Sequence, residues 1–410
     1  MEYDVVIAGG GPAGATVAAL VARGGYRVLL LERSPAARFK IGESLMPATY
    51  WIFQRLGLLD TMRESAFPVK GSVQFFSADG RAATPFYFED HDPHESSRTW
   101  QVLRSDFDRI LVDLATAEGA EIRPGVSVKR VLFADDKATG LEVKNEDGAL
   151  EQISSRVVVD ATGQSSLLAR QLGILEPEPL LRHASYFTHF EGAVRGQGRD
   201  AGATLILHTE TRKSWFWFIP LPDDRVSVGV VGPVDYLVGG RDADPERVFQ
   251  EELSHCPALQ ERLGSARQLL PVKVIRDYSY SVRSFAGEGW VLVGDAAGFI
   301  DPIYSSGVYL ALVSGEMAAD AICDALENTD FSPQRLGAFE PDLRRGMEAM
   351  AKLVFAFYSP EFSFGAFLKR YPDCRGQLVD LLMGNVFRRP VDELLAALDA
   401  SLAVCGKTSS

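Results

Sequence analysis

The fold of this chain is decided by the stretch Val5-Val6-Ile7-Ala8-Gly9-Gly10-Gly11-Pro12-Ala13-Gly14. Its apolar start is typical of a short buried strand, and its glycines fit the pattern G-x-G-x-x-G. The small residues from Ala15 to Ala22 predict a helix, and Val28 to Leu31 predict the next strand. Together these elements form a β-α-β unit, so we predict an α/β fold with a Rossmann-like domain.

The glycine-rich turn predicts a dinucleotide site, because such a turn brings backbone N–H groups close to a pyrophosphate. The turn residues that we predict to bind the cofactor are Gly9, Gly11, Pro12, Ala13 and Gly14. Glu32 ends the second strand, 18 residues after Gly14, where an acid would accept a hydrogen bond from a ribose hydroxyl. This pattern alone leaves FAD and NAD both open.

Length and charge narrow the class of protein. A chain of 410 residues should form two or three packed regions. A net charge of −13 argues against a general nucleic-acid binder, because no basic field would gather phosphates. The start of the chain lacks a basic signal-peptide region, and no apolar stretch is long enough to span a bilayer. The four cysteines have no metal-like spacing, so we expect a cytoplasmic protein without a metal site.

The domains are predicted to be discontinuous, because Trp290 to Val293 resumes the strand character of the nucleotide-binding domain. Several segments between 183 and 232 alternate in polarity or run apolar, which predicts a mostly antiparallel sheet. The predicted bounds are 1–72, 98–182 and 272–332 for the nucleotide-binding domain, 73–97 and 183–271 for a substrate-binding sheet domain, and 333–410 for a short helical region.

The stretch Trp215-Phe216-Trp217-Phe218-Ile219-Pro220 is the second informative segment. In an extended strand the two indoles point to one face and the two phenylalanine rings to the other, so both faces should be buried. Taken alone, such an aromatic wall is more often core than site.

Two segments resemble the aromatic-hydroxylase class of flavoproteins. The run from Trp290 to Gly298, with Asp295 after a strand, is similar to the second flavin-binding motif of that class. The run from Val157 to Gly163 resembles its D-A-T-G segment, and Arg104 matches its flavin-contacting arginine. The resemblance implies FAD, with Asp295 near the ribityl chain and pyrophosphate. Asp160 is then either a turn and helix cap or a cofactor contact.

Three motifs narrow the resemblance to flavin-dependent halogenases. The aromatic stretch is similar to their W-x-W-x-I-P signature. Residues 41–47 resemble their G-E-S-x-x-P segment, and residues 301–308 resemble their D-P-x-x-S-[ST]-G-V loop under the flavin ring. The fold implied is an aromatic-hydroxylase or glutathione-reductase type of FAD-binding domain, with an inserted antiparallel sheet and a short helical C-terminal region.

The chemistry implied by the resemblance is a relay of oxidant. FADH2, O2 and chloride or bromide would give hypohalous acid, and Lys70 falls where the family carries its catalytic lysine. That lysine holds the acid by hydrogen bonding or as a haloamine and delivers halogen to a phenolic or pyrrolic ring, free or on a carrier protein. Trp215 and Trp217 would separate flavin from substrate. The alternative is that Lys70 is a surface lysine after a turn proline.

The predicted site residues follow from these motifs. Ser306 and Gly307 are the predicted halide contacts, since backbone N–H groups at a helix start bind anions; alternatively Ser306 caps the helix predicted from Val308 to Leu326. The catalytic set is Lys70, Trp215, Trp217 and Ser306. Besides the turn residues, the predicted cofactor contacts are Glu32, Arg33, Lys40, Ser44, Arg104, Val128, Asp295, Pro302, Gly307 and Val308.

Some positions leave alternatives open. Tyr304 stands where tryptophan halogenases place a glutamate, which fits a phenol, a pyrrole or a carrier-tethered substrate, and also a relative that no longer halogenates. Glu43 is either a buried carboxylate of the flavin site or part of a structural turn. Asp277 resembles a position that in one halogenase subgroup bonds covalently to the flavin.

Other functions share this fold. A FAD-dependent monooxygenase and a reductase of the geranylgeranyl-reductase type are the enzyme alternatives, and a non-catalytic flavoprotein is the third. Ile219 favours the halogenase, since the reductase motif has phenylalanine there. No second nucleotide fingerprint is visible, so we expect a separate flavin reductase to supply FADH2.

Overall fold

The structure is a computed structural model that describes residues 2–34, 39–241, 244–360 and 362–408. The strands of its first half are β1 (Tyr3–Ala8), β2 (Val28–Glu32), β3 (Val69–Lys70), β4 (Ser72–Phe76), β5 (Phe86–Tyr87), β6 (Thr99–Trp100), β7 (Glu121–Pro124), β8 (Ser127–Ala134), β9 (Lys137–Lys144) and β10 (Leu150–Asp160). Those that follow are β11 (Leu175–Pro177), β12 (His183–Glu191), β13 (Thr204–His208), β14 (Trp215–Pro220), β15 (Arg225–Pro233), β16 (Arg267–Gln268), β17 (Lys273–Arg276), β18 (Tyr280–Val282), β19 (Ala286–Gly287) and β20 (Trp290–Leu292).

The helices of the described residues are α1 (Pro12–Arg23), α2 (Thr49–Leu56), α3 (Leu59–Glu64), α4 (Arg104–Ala117), α5 (Leu167–Gln171), α6 (Val234–Leu237), α7 (Pro245–Ser254), α8 (Pro257–Leu263), α9 (Ser306–Asn328), α10 (Pro333–Leu336), α11 (Glu340–Tyr358), α12 (Phe364–Arg370), α13 (Arg375–Met383) and α14 (Asp392–Thr408). In these described ranges, none has the length and apolar character that crossing a membrane requires.

The first sheet contains the predicted β-α-β unit. Strand β1 lies between β10 and β2 and is parallel to both, with Ile7 paired to Val159 and to Leu30. The order β19-β20-β10-β1-β2-β7 continues from there, and the hairpin β8-β9 joins the sheet through β10. The central strands are apolar almost throughout, because a parallel sheet is covered on both faces. Their carboxyl ends therefore meet in a crevice, which is where such sheets bind ligands.

The second sheet has the order β16-β12-β15-β14-β13-β4-β5, with β17 also paired to β12. Its pairs are antiparallel except for β13 and β4, which run in parallel. The predicted mixed architecture of a nucleotide-binding sheet and a mostly antiparallel sheet is confirmed. The exact domain bounds stay a prediction.

Strand β14 lies between two hydrophobic cores. Trp215, Trp217 and Ile219 pack into the core shared with the first sheet. Phe216 and Phe218 pack into a separate core, where Phe216 meets Phe249 of α7 edge to face. Both faces of the strand are buried, as the alternation of residues predicts, and only the tryptophan face is directed toward the nucleotide-binding sheet.

The C-terminal helices cover part of this arrangement. The Met383 carbonyl accepts from Ala48 N–H at 2.9 Å, and the Gly384 carbonyl accepts from the Tyr309 hydroxyl at 2.6 Å. A small cluster formed by Phe88, Val379 and Met383 lies under α13. These contacts fix the helical region to the parts of the chain that surround the crevice.

Candidate active site

A cavity of about 940 Å³ opens between the two sheets, a volume in the range that protein ligands occupy. Both sheets contribute to its lining. Of the predicted site residues, it is lined by Gly9, Gly11, Pro12, Ala13, Glu32, Arg33, Lys40, Ser44, Arg104, Val128, Trp215, Trp217, Asp295, Pro302, Gly307 and Val308. Gly14, Lys70 and Ser306 are not part of this lining.

The glycine turn shows why small residues are needed at two of its positions. Gly9 has a φ of +110°, and a Cβ there would lie 2.2 Å from the Ala161 carbonyl oxygen. A Cβ at Gly14 would lie 2.0 Å from the Gly9 carbonyl oxygen, so Gly14 allows α1 to pack on the turn. At Gly11 a Cβ would meet no atom within 4 Å. The turn therefore leaves an open cradle at the start of a 12-residue helix, where a pyrophosphate fits.

Glu32 is fixed at the end of β2 by two backbone donors. Its carboxylate accepts from Gly10 N–H and from Ser34 N–H, each at 2.9 Å. The side chain also lines the cavity, where its remaining acceptor capacity is available to a hydroxyl.

Arg104 and Asp295 both line the cavity, and their charges interact. The Arg104 guanidinium is held by Asp108, with Nε–Oδ1 and Nη2–Oδ2 distances of 2.8 and 3.1 Å. Burial raises the pKa of Asp295 to about 6, and the positive charge of Arg104 opposes that rise. A ligand with hydroxyl and phosphate groups would give both side chains the partners that this environment calls for.

Asp160 has a structural role in this fold. Its Oδ1 accepts from Thr162 N–H at 2.9 Å, and its Oδ2 accepts from Leu168 N–H at 2.7 Å. Both carboxylate oxygens thus hold the turn and the short helix that follow β10. Of the two interpretations of Asp160, the turn and helix cap is the one that these contacts support.

Glu43 is a buried carboxylate of the cavity wall. It is 2% exposed, lines the cavity and lies 2.7 Å from Nε2 of His189, which is itself 3% exposed. Phe39 packs edge-on against the imidazole. His189 is an addition to the predicted site, and nothing in the sequence of β12, which also contains His183, Ser185 and Thr188, sets it apart.

Lys70 is buried, so the interpretation as a surface lysine is wrong. Its side chain is 2% exposed, and Nζ donates to Ser44 Oγ and to the Leu45 carbonyl, each at 2.9 Å. The centre of the Phe88 ring lies 5.9 Å from Lys70 Nζ. Burial lowers the pKa of Lys70 to about 7, which leaves a large neutral fraction near neutral pH. Ser44 lines the cavity, so Lys70 lies one hydrogen bond behind the lining.

The tryptophan wall is held by hydrogen bonds at both indoles. Trp217 Nε1 donates to Ser227 Oγ, and Trp215 Nε1 donates to the Tyr358 hydroxyl, each at 3.1 Å. Gly229 lies opposite Trp217 on β15, and a Cβ there would come within 2.2 Å of the indole. Because glycine has no Cβ, Gly229 leaves room for the Trp217 ring to pack against β15.

The predicted halide loop leads into a long helix. Helix α9 begins at Ser306, two residues before the predicted start, because Ser305 takes the N-cap position with a φ of +60°. The interpretation of Ser306 as the N-cap is therefore wrong, and no side-chain cap bond forms. Ser305 and Gly307 line the cavity at this helix start, where exposed N–H groups favour an anion.

Two further predicted positions lie apart from the cavity. Asp277 is exposed, lies 3.4 Å from Arg182 and is absent from the cavity lining, which gives no support to a covalent flavin bond there. Tyr304 is partly buried against Phe357, and within the described residues its hydroxyl has no hydrogen-bond partner. Burial and the Asp301 carboxylate raise the pKa of Tyr304 well above its usual value.

The residues of the cavity fit FAD. The open cradle at Gly11 suits a pyrophosphate, Glu32 suits a ribose hydroxyl, and Arg104 with Asp295 suits the phosphate and polyol between them. The apolar remainder, which includes Trp215 and Val308, suits a flat aromatic ring.

Comparisons with known proteins agree with this geometry. Residues 2–331 match the family described as FAD binding domain. A 1H-pyrrole-2-carbonyl-(peptidyl-carrier protein) chlorinase of Pseudomonas fluorescens is 32% identical, with 94% of this chain and 90% of that protein covered. A brominase named for the same carrier-bound pyrrole, from Pseudoalteromonas luteoviolacea, is 33% identical, with coverage of 94% and 93%.

The solved structure of the flavin-dependent brominase Bmp2 has a TM-score of 0.88 to this chain, with 29% identity and full coverage of both chains. The myxobacterial chondrochloren halogenase CndH has a TM-score of 0.82 at 31% identity, with coverage of 94% and 92%. The resemblance seen in the motifs is thus confirmed over almost the whole chain. This chain belongs to the flavin-dependent halogenases, within the FAD-binding-domain family.

Proposed function

We propose that this chain halogenates an electron-rich aromatic ring, with FADH2, O2 and a halide as co-substrates and Lys70 as the group that delivers the halogen. The observation that carries the proposal is the burial of Lys70 beside the cavity. Among the residues that the structure describes, no acidic side chain pairs with Lys70, so its burial costs stability, and its depressed pKa leaves an amine able to react.

The chain's own residues would hold the cofactor in the way described for the cradle at Gly11, the acid Glu32, and the pair Arg104 and Asp295. When bound as FADH2, the flavin supplies, with O2 and a halide, the hypohalous acid that is the halogen source. The N–H groups at the start of α9, at Gly307, would hold the halide.

Lys70 can then act as a halogen carrier. Its neutral amine reacts with hypohalous acid so that an N–H bond is replaced by an N–halogen bond and water leaves. An electron-rich ring carbon next takes the halogen and loses its proton, which restores the amine. The same residue in its charged form can instead hold the acid by a hydrogen bond, so both forms of delivery stay open.

Trp215 and Trp217 contribute by excluding the ring from the cofactor side of the cavity. Both indoles line that cavity and both are fixed by hydrogen bonds. A substrate ring on the side of the wall away from the flavin would meet only oxidant that had left the flavin. This steric exclusion supports halogenation over direct hydroxylation.

The substrate class that we propose is a pyrrole bound to a carrier protein through a thioester. The two relatives named for that substrate align over nearly their full length. Tyr304 stands where tryptophan halogenases place a glutamate. The lack of an acid at this position fits a pyrrole, because the ring nitrogen itself activates the ring carbons. We also propose a separate flavin reductase as the source of FADH2, because the glycine fingerprint occurs once in the sequence.

Mass spectrometry tests this function directly. The holoprotein, chemically reduced FAD, O2 and bromide would be offered a pyrrole-2-carbonyl carrier protein, the corresponding small thioester and a set of phenols. We expect a bromine isotope pattern that disappears without bromide. Hydroxylated product without halide, together with reduction of the bound flavin by NADH or NADPH alone, would instead establish a monooxygenase.

A further inference from the structure

A chain of hydrogen bonds connects the tryptophan wall to the loop before α9. Trp215 Nε1 donates to the Tyr358 hydroxyl at 3.1 Å, and that hydroxyl lies 3.1 and 3.2 Å from the two carboxylate oxygens of Asp301. Asp301 in turn accepts from Ile303 N–H at 3.0 Å. Three segments that are distant in sequence therefore meet at one hydroxyl group.

The direction of these bonds follows from the donor inventory. An indole N–H can only donate, and a carboxylate can only accept, so Tyr358 must accept from Trp215 and donate to Asp301. Burial and the Asp301 carboxylate raise the pKa of Tyr358 well above its usual value, which keeps its proton in place. These hydrogen bonds can therefore run in one direction only, from Trp215 through Tyr358 to Asp301.

The surroundings of Tyr358 limit its movement. The His183 ring stacks on the Tyr358 ring at 4.2 Å, with a 27° angle between the planes. Phe357 meets both Tyr358 and Trp215 edge to face. The hydroxyl is therefore brought to Trp215 by a ring that is itself packed, at the very end of α11.

We infer that Tyr358 is a positioning residue, which fixes the Trp215 indole relative to the Asp301 loop and so keeps the oxidant on the path to Lys70. This inference rests on the proposed function. If the indole could turn, the wall would open on the cavity side, and hypohalous acid would escape before reaching the amine. Tyr358 does not touch the reacting atoms and acts through Trp215.

The test uses Tyr358→Phe, which keeps the ring and its packing on His183 and removes both hydrogen bonds. With FADH2, O2 and bromide, we expect unchanged flavin oxidation but about a fivefold drop in the ratio of brominated product to free hypobromite, the factor that loss of the bond to Trp215 alone would give. Free hypobromite would be trapped with monochlorodimedone. Tyr186→Phe is the matched control, because it removes a buried hydroxyl bond to the Leu237 carbonyl in the second core, away from Trp215.

A second readout does not depend on turnover. In holoprotein with oxidised FAD and ¹⁵N-labelled tryptophan, the five indole N–H signals include that of Trp215, assigned with Trp215→Phe. Tyr358→Phe should speed solvent exchange of this proton alone, whereas a general loss of packing would speed several. In the double variant with Trp215→Phe, the Tyr358 substitution should have no further effect on the product ratio.

The outcomes separate this inference from the proposed function. An unchanged ratio of product to free hypobromite together with unchanged indole exchange would overturn the role of Tyr358. Absence of brominated product from the wild-type chain with every substrate would overturn the proposed function, and the indole exchange would still decide whether Tyr358 holds Trp215.

Discussion

At Lys70 the proposed chemistry and the stability of the fold make opposite demands on one side chain. Its amine has two neutral partners, the Ser44 hydroxyl and the Leu45 carbonyl, and burial is the cause of its low pKa. Such a group costs free energy of folding, because the chain must give up a proton or bury a charge. A residue kept at that cost is a candidate for a functional role.

Replacement of this lysine should therefore stabilise the fold. We expect Lys70→Met to raise the free energy of unfolding near pH 7 by roughly 1–3 kcal/mol, the relief of desolvation less two hydrogen bonds. Because the folded-state pKa of about 7 lies below the unfolded value of 10.5, the unfolded chain binds more protons between these values. Wild-type stability from this group thus rises with pH in that window.

Urea unfolding of wild type and Lys70→Met, at about pH 7 and about pH 9, measures this effect. The advantage of the variant should shrink at the higher pH. Lys129→Met, on exposed β8, serves as the control and should leave stability within about 0.5 kcal/mol. A variant less stable than wild type at both pH values would show that Lys70 is not held in a costly environment.

At the scale of elements, helix α13 packs against the phenylalanine that lies beside Lys70. Val379 and Met383 pack on Phe88, and the Phe88 ring lies under Lys70 Nζ. The C-terminal region thereby contacts the phenylalanine beside Lys70, the lysine proposed to deliver the halogen.

Phe88→Leu should loosen this cover and let water approach Lys70. We expect the pKa of Lys70 to rise toward its usual value, so that less neutral amine is present near pH 7. Halogenation should then fall severalfold near neutral pH and recover at about pH 9. The pH profile of brominated product per FADH2 oxidised measures this shift.

Phe249→Leu is the matched control, since this equally buried phenylalanine lies in the second core away from Lys70. Phe249→Leu should lower the free energy of unfolding by about as much as Phe88→Leu does. It should leave the pH profile of halogenation unchanged. The same shift in both variants would mean that loss of stability, and not hydration of the lysine, controls the profile.

Local patterns predicted the elements that carry the cofactor site. The glycine turn, the strand before it and the alternating tryptophans each depend on residues within a few positions of one another, so their structure could be inferred from spacing alone. The start of α9 was placed two residues late because the left-handed conformation of Ser305 has no sequence signal when the residue is not glycine.

Contacts between distant segments could not be predicted in this way. Trp215 and Tyr358 are separated by 143 residues, and one tyrosine at the end of an amphipathic helix has no distinguishing pattern. The pairing of Glu43 with His189 and the cover of Phe88 over Lys70 have the same character. Sequence patterns therefore proposed candidate residues for the site, and only the fold shows which of them are buried, paired or exposed.

At the scale of the whole molecule, the two sheets line different parts of one cavity. On the side of the first sheet the cavity is lined by the glycine turn, by Glu32 and by Arg104 at the start of α4, and the second sheet lines it with Trp215 and Trp217. The helical C-terminal region then adds Tyr358 to the wall and the cover of α13 over Lys70. We propose that this assembly separates the formation of the oxidant from its delivery by Lys70.

The most direct measurement compares wild type and Lys70→Met with FADH2, O2, bromide and a pyrrole-2-carbonyl substrate, following FADH2 oxidised, free hypobromite and brominated product together. We predict equal flavin oxidation, release of free hypobromite and a loss of brominated product of about 100-fold or more in the variant. Brominated product from Lys70→Met at the wild-type yield per FADH2 oxidised would show that Lys70 does not deliver the halogen.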